Sequence, residues 1–383
     1  MILEENFPLR ERYTQLARNI SIFALGTLGS RSIAFFMLPL YTKLLSARDY
    51  GVLDVFQTTI NLLVPVLSLE LGNAVFRFTM DNKENKSHVL STALLVSPLP
   101  FLSFLSFHTL LRHNSMLDPY LSYFYVICFL TIFLGEMKQY VRGIGAVKMF
   151  ALSDILQVLV LAGTNLILMV VLSMGLRGYF LSTIFAQAFS LTFLILATGA
   201  WKAISLSHFN RRLAWKMFSY ALPLIPNALM WWVMNVSDRY LIAYFLNLEA
   251  NGLYGVACRF PVLLSTVTGI FFPAWQMSAV KEFQAEDREG YYSRVFSAYT
   301  SALFILAGIL LLFLKELTRV FVDSGFGEVW QFVPFLLIGT IFFSLASFLG
   351  TIYLASKNTL GAFFTTALGG SVNFLLNLLF IPL

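Results

Sequence analysis

Runs of about 20 apolar residues, separated by short polar connections, fill almost the whole of this 383-residue chain. At 1.5 Å per residue, such a run crosses the roughly 30 Å hydrocarbon core of a bilayer as a helix. None shows the period-two alternation of a membrane barrel strand. The pattern predicts spans at roughly 19–41, 52–73, 89–111, 121–141, 151–173, 178–198, 218–246, 253–275, 295–314, 330–355 and 361–383, eleven in all. The expected fold is therefore an all-α polytopic membrane protein. The first run carries Arg31 and Pro39 and is followed by no small-residue cleavage site, so it reads as a retained helix and not a signal peptide.

An offset of 204 residues brings the chain into register with itself. Leu248 falls on Leu44, Tyr254-Gly255 on Tyr50-Gly51 and Phe260 on Phe56. The chain is thus expected to hold two repeated bundles, an N-terminal six-helix half over 1–204 and a C-terminal half over 205–383. The repeat places a twelfth helix at about 382–402, past Leu383, so the C-terminal half, with five helices, is expected to be truncated.

Polar residues inside the apolar runs are ordered. In YGVLDVFQTTINLLVPVLSLELG, residues 50–72, a rotation of 100° per residue puts Asp54, Gln57, Asn61, Pro65, Ser68 and Gly72 within a sector of roughly 80°. In lipid such a stripe must face protein or water. The seventh span gathers Asn227, Trp231, Asn235 and Asp238 on one side, with Arg239 one step round, and the eighth aligns Gly255, Arg259 and Thr266. Under the repeat, Arg31 is equivalent to Asn235, and Arg259 to Val55, beside Asp54. The polar faces of spans one, two, seven and eight are therefore expected to line one water-accessible central cavity.

Each of these residues also has a plainer role open to it. Arg239 either reaches the cavity or pairs with Asp238 or a neighbour and holds helices together. Arg259 either reaches the cavity or extends to the interface. Arg31 lies past the middle of its span and is harder to place there. Glu70, near the inner end of span two, is interfacial or a coupling residue, and Asp154 and Lys148 mark a helix end. Trp231 is either a lipid contact or a stacking surface on the polar side.

Composition adds orientation and exclusions. Hydrophobic residues make up 58% of the chain and charged ones 12%, too few charges for a soluble fold. With the leader in the cytoplasm, the cytoplasmic segments hold 17 Lys and Arg and the outer ones 6, while Arg31, Arg239 and Arg259 lie inside spans. The net charge of +6 is mostly this orientation signal and does not point to nucleic acid. Cys128 and Cys258 lie in different apolar runs and form no disulfide framework. No phosphate-binding loop, H-E-x-x-H motif or Cys/His cluster is present, so no cofactor or metal is implied. Outer connections of at most about 16 residues leave no room for the catalytic loop of a glycan ligase or polymerase, so no enzyme is expected.

Five stretches carry a resemblance. ALGTLGSRSIAFFMLPLYTKLLSARDYGVLDV (24–55), LSLELGNAVFRF (67–78), YVRGIGAVKMFALSDILQ (140–157), VSDRYLIAYFLNLEANGLYGVACRF (236–260) and NFLLNLLFIPL (373–383) occur in order and at family spacing. Together they resemble the polysaccharide biosynthesis (Wzx-type, O-antigen) flippases of the multidrug/oligosaccharidyl-lipid/polysaccharide export superfamily. The resemblance implies two bundles of six helices, alternating access and export of an undecaprenyl-diphosphate-linked oligosaccharide across the bacterial inner membrane. It implies a proton or sodium ion as coupling partner, membrane lipid around the chain, and cooperation with other polysaccharide assembly proteins.

Its cationic cavity corresponds by position to Arg31, Arg239 and Arg259, with Gln57, Asn61, Asn235 and Trp231 as further substrate contacts and Asp54, Asp238 and Glu70 as coupling candidates. Arginine suits that substrate because its forked donors match phosphate oxygens. The alternative is a cation-coupled multidrug or organic-cation antiporter, whose cavity should be dominated by acids and aromatics.

Overall fold

The computed structural model describes residues 35–80, 84–106, 108, 112, 118–356 and 359–382. Arg31 and most of the first expected span lie outside them. Among the described residues there are helices and no strands. In chain order the helices are α1 (Leu38–Leu44), α2 (Ala47–Leu67), α3 (Leu71–Met80), α4 (Lys86–Val96), α5 (Pro98–Leu105), α6 (Leu121–Gly143), α7 (Val147–Asn165) and α8 (Gly175–Ala197). They continue with α9 (Arg211–Ala221), α10 (Leu224–Phe245), α11 (Leu248–Ala257), α12 (Pro261–Glu282), α13 (Arg288–Leu312), α14 (Leu314–Phe321), α15 (Val333–Ala355) and α16 (Thr359–Phe380).

Among the described residues eight helical segments are long and apolar enough to cross a membrane, and a ninth results if α11 and α12 are taken as one bent span. The protein is thus an all-helical, multi-pass membrane protein. Most of the first expected span lies outside the described residues, and within α16 the apolar stretch counted is Phe364–Phe380, so the described residues do not test the expected total of eleven. The expected eighth span, 253–275, is not one straight helix: α11 and α12 meet at 48°. The cause is local. Pro261 has no N–H to give the preceding turn, so α11 does not run on into α12 and residues 258–260 form the break.

Helix starts are written in the sequence. Ser46 caps α2, its Oγ accepting from the Asp49 N–H at 3.1 Å. Asn85 caps α4 and Asn210 caps α9 in the same way. These caps matter because the first N–H groups of a helix have no partner inside it.

The chain divides into two compact units, Leu44–Asn251 with Asn373–Leu383, and Gly252–Val372 with the described residues up to Lys43. In the first, α6 is central, packing against α2, α3, α4, α7 and α8. Leu71, Ala74 and Val75 of α3, Val89, Leu90 and Ala93 of α4, and Leu134, Met137 and Val141 of α6 form its buried core. Lipid tails are as apolar as these side chains, so close fit and hydrogen bonds drive the packing more than the hydrophobic effect does. Gly143 shows the fit: a Cβ there would lie 2.7 Å from the Thr79 Cβ, so only glycine lets α6 approach α3 this closely. Ser91 of α4 donates to the Ala203 carbonyl at 2.7 Å and accepts from the Ser205 N–H at 3.1 Å, tying down the connector before α9. Asp154, expected at a helix end, is paired with Lys138 at 2.6 Å.

The second unit packs α12, α13 and α15 around stacked aromatic rings. Trp275 and Phe348 are buried and lie 4.2 Å apart, and Phe271 stacks on Tyr299 at 4.4 Å. Offset stacking of this kind gives directional attraction where burial alone gives little.

Candidate functional site

Within the first unit, α10 lies along α2. Three polar contacts fix that pairing: the Trp232 Nε1–H donates to the Thr58 carbonyl at 3.0 Å, the Thr59 and Tyr240 hydroxyls hydrogen-bond, and the Arg239 guanidinium is ion-paired with Asp54. Asp54 is 2% exposed. Its second oxygen accepts from Asn251 Nδ2 at 3.4 Å, and the same amide reaches the Gly51 carbonyl at 3.3 Å. A carboxylate this deeply buried is costly without a counter-charge and hydrogen bonds, and here it has both.

The sequence left Arg239 between the cavity and a structural pair, and named Asp238 as one partner. Consecutive residues on a helix point about 100° apart, so their side chains do not face one another. Asp238 instead accepts from the backbone N–H of Arg239 at 2.9 Å, and the guanidinium crosses to α2.

One step round the same helices are the remaining polar candidates. Gln57, Asn61, Trp231 and Asn235 are exposed. Gln57 Nε2 donates to Asn61 Oδ1 at 3.4 Å, one turn along α2, and Asn235 Nδ2 donates to the Trp231 carbonyl at 2.8 Å, one turn along α10. Exposed amides inside spanning helices require water or a polar ligand, since lipid offers them no partner. Pro65 adds to this face by leaving the Asn61 carbonyl without its helical donor.

Arg259 lies in the second unit, half-buried, within the break between α11 and α12. Arg31 lies outside the described residues. Glu70 follows the end of α2, where Leu69 and Glu70 adopt φ of 52° and 51° in the left-handed region. For residues with a Cβ this conformation costs roughly 1–2 kcal/mol each. The turn is stabilised by Asn73, whose Nδ2 donates to Glu70 Oε2 at 2.6 Å.

Two residues of this region were not singled out from the sequence. Asn251 gave no signal, since an asparagine near a helix start is ordinarily a cap. Glu136 did give one: it is an acid inside the apolar run of α6, and it proves to be 1% exposed, accepting from Ser97 Oγ at 3.2 Å. Among the described residues no three His, Cys, Asp or Glu side chains converge as a metal site would require. Cys128 and Cys258 form no disulfide among the described residues.

A family model described as polysaccharide biosynthesis protein matches residues 16–280, more than half of the chain. The chain belongs to the polysaccharide biosynthesis protein family. No curated protein matches the sequence. Solved structures similar to this family member include a multidrug resistance MATE family transporter of the MOP superfamily. Its inward-facing form is 14% identical, with 93% of this chain and 94% of that one covered and a TM-score of 0.64. Its outward-facing form is 13% identical, with 95% and 94% covered and a TM-score of 0.63. A MOP superfamily transporter from Pyrococcus furiosus, described by the reverse polarity of its binding pocket, is 14% identical over 96% of this chain and 95% of that one, with a TM-score of 0.60. At these identities the likeness establishes the fold, that of MOP-superfamily transporters. Family and fold together are those of a multi-pass membrane protein of polysaccharide biosynthesis.

Proposed function

We propose that the protein is a flippase moving an undecaprenyl-diphosphate-linked oligosaccharide, such as an O-antigen or lipopolysaccharide precursor, across the bacterial inner membrane. The observation that carries this reading is the pairing of Asp54 with Arg239. An organic-cation antiporter needs an acid able to accept a cationic substrate, and the most deeply buried acid on the polar stripe already holds a guanidinium. Of the arginines and aspartates singled out inside the spans, Arg31 and Arg259 then stand against Asp238, with Glu70 apart at the inner end of span two. That balance suits an anionic diphosphate. The exposed Gln57, Asn61, Asn235 and Trp231 supply hydrogen bonds and a ring face for sugars. Moving the head group outward is also downhill in an inside-negative cell, by about 2.3 kcal/mol per charge per 100 mV.

The experiment is a direct competition. Purified protein is titrated with polyprenyl-diphosphate-linked oligosaccharide and, separately, with cationic dyes, and its tryptophan fluorescence is followed. Saturable binding of the lipid-linked glycan is expected. Dye binding without glycan binding would establish the antiporter reading, to which the multidrug relatives of the fold lend some support.

The repeat supports functional halves at 1–204 and 205–383, and the loop charges support a cytoplasmic N-terminus. On that orientation a single cysteine at the exposed Ser46 reacts with an impermeant thiol reagent in intact cells, and one at the exposed Asn85 does not. Labelling at Asn85 would reverse the topology.

A further inference from the structure

The connector between α8 and α9 carries a basic, apolar surface that the transport reading does not use. Among the described residues 84–92 and 198–221, the lysines and arginines are Lys86, Lys202, Arg211, Arg212 and Lys216. They stand against one acid, Glu84, which Lys216 engages at 2.8 Å. Large apolar side chains are exposed among these charges: Trp201, Leu206, Phe209 and Trp215, with Leu206 79% exposed. Tryptophan exposed beside lysine and arginine marks a segment lying in the membrane interface, where the ring meets the acyl boundary and the cation meets headgroups.

Beside the connector is an apolar cavity of about 390 Å³. Leu94 and Leu95 of α4, Phe133 and Met137 of α6, and Leu191 and Ile195 of α8 wall it, and residues 204–206 of the connector close one side. All of these helix residues except Met137 are only half-buried, so the cavity opens onto the bilayer. Its polar atoms are already satisfied. Ser91 donates to the Ala203 carbonyl and accepts from the Ser205 N–H, and the Ser205 and Ser207 hydroxyls hydrogen-bond at 2.8 Å. The connector is held in place further along, where His208 Nδ1 donates to the Ala203 carbonyl at 2.8 Å and the Asn210 N–H donates to Thr92 Oγ1 at 3.2 Å. At about 30 Å³ for each water-sized group, the space takes roughly a dozen methylenes.

We propose that this cavity takes one acyl chain of an anionic phospholipid, with the headgroup phosphate held at Lys202. Lys202 lies two positions before Ile204, and its Nζ sits over the Trp201 ring at 5.3 Å, which keeps the ammonium at the level of the interface. The cavity by itself suits any unbranched chain; the excess of basic over acidic residues around it selects an anionic headgroup. A dozen methylenes is most of one acyl chain but a small part of a long polyprenyl tail, so a phospholipid fits better than the lipid carrier of a glycan. The bound chain covers Leu206 and packs the connector onto α4 and α8. None of this depends on what the protein transports.

The purified full chain in detergent is melted with phosphatidylglycerol, phosphatidylcholine, undecaprenyl phosphate or inorganic phosphate, and the lipid it retains is counted by native mass spectrometry. A saturable rise in melting temperature is expected with phosphatidylglycerol, at a concentration at least fivefold below that needed for phosphatidylcholine. Lys202→Glu weakens the phosphatidylglycerol response about fivefold or more, the weight of one basic residue at an anionic surface, and leaves the phosphatidylcholine response unchanged. Ile195→Trp fills the cavity and loses both responses. Lys148→Glu, on the exposed side of α7, keeps the phosphatidylglycerol preference. Equal responses to the two phospholipids in the wild type, or a preference undiminished in Lys202→Glu, would overturn the proposal. So would an equal loss in Lys148→Glu, which means a diffuse field, or an equal rise with inorganic phosphate, which means that no chain is bound. Tighter binding of undecaprenyl phosphate than of phosphatidylglycerol would assign the cavity to a polyprenyl tail instead and overturn it too. If Ile195→Trp fails to fold, Lys202→Glu, at an exposed position, decides.

Discussion

Asp54→Ala and Arg239→Ala each lower the stability of the protein by about 3–5 kcal/mol, the usual cost of stranding one member of a buried ion pair. Asp54 is buried, and the Arg239 side chain is 23% exposed, so water screens this pair little. Replacing both at once, as Asp54→Leu with Arg239→Met, restores stability to within about 1 kcal/mol of the wild type, because no charge is left alone. A double-mutant cycle on denaturant or thermal unfolding in detergent measures the coupling directly. Asn251→Leu costs less, about 1–3 kcal/mol, since Asp54 then loses a hydrogen bond but keeps its counter-charge. If Asp54→Ala left stability untouched while transport ceased, the pair would be part of the transport chemistry and not the seam between α2 and α10.

Arg259→Ala reduces glycan export per folded molecule about ten- to a hundredfold, the loss of one charge-assisted hydrogen bond to phosphate, worth about 1.5–3 kcal/mol. Arg259→Lys recovers part of the activity, since the ammonium keeps the charge but loses the fork. Arg259→Glu is worse than alanine, because it sets a carboxylate against the phosphates where screening is weak. The same order is expected at Arg31. The measurement is surface glycan divided by membrane-inserted protein in a strain lacking its own exporter. An arginine that only holds helices together behaves differently: protein level and export fall in step. Full export by Arg259→Ala at normal protein levels removes it from the mechanism.

Sequence alone determined what depends on neighbours along the chain. Span length and apolarity gave the helical membrane fold. The caps at Ser46, Asn85 and Asn210 follow from side chains that satisfy the first N–H groups of their own helices. The 3.6-residue period put Gln57 and Asn61 on one face of α2, and Trp231 and Asn235 on one face of α10, and the structure leaves all four exposed. Even the break at 258–260 was implicit in Pro261, although the apolar run around it read as continuous.

Tertiary structure alone decided which faces meet. The partner of Arg239 is 185 positions away, and no periodicity within one helix names it. Its sequence neighbour Asp238 accepts from the Arg239 backbone N–H, and only the packing of α10 on α2 brings Asp54 to the guanidinium. Asn251 became part of that network because the start of α11 is brought to Gly51, a proximity that its own sequence surroundings do not encode. Glu136 was visible as an acid in an apolar run, yet its partner Ser97 is 39 positions away and is carried to it by the packing of α4 on α6. The physical reason is the same in each case. Periodicity and capping are fixed within a turn or two of chain, whereas a buried charge is stabilised by whatever lies within a few ångströms, and that is set by how the helices pack.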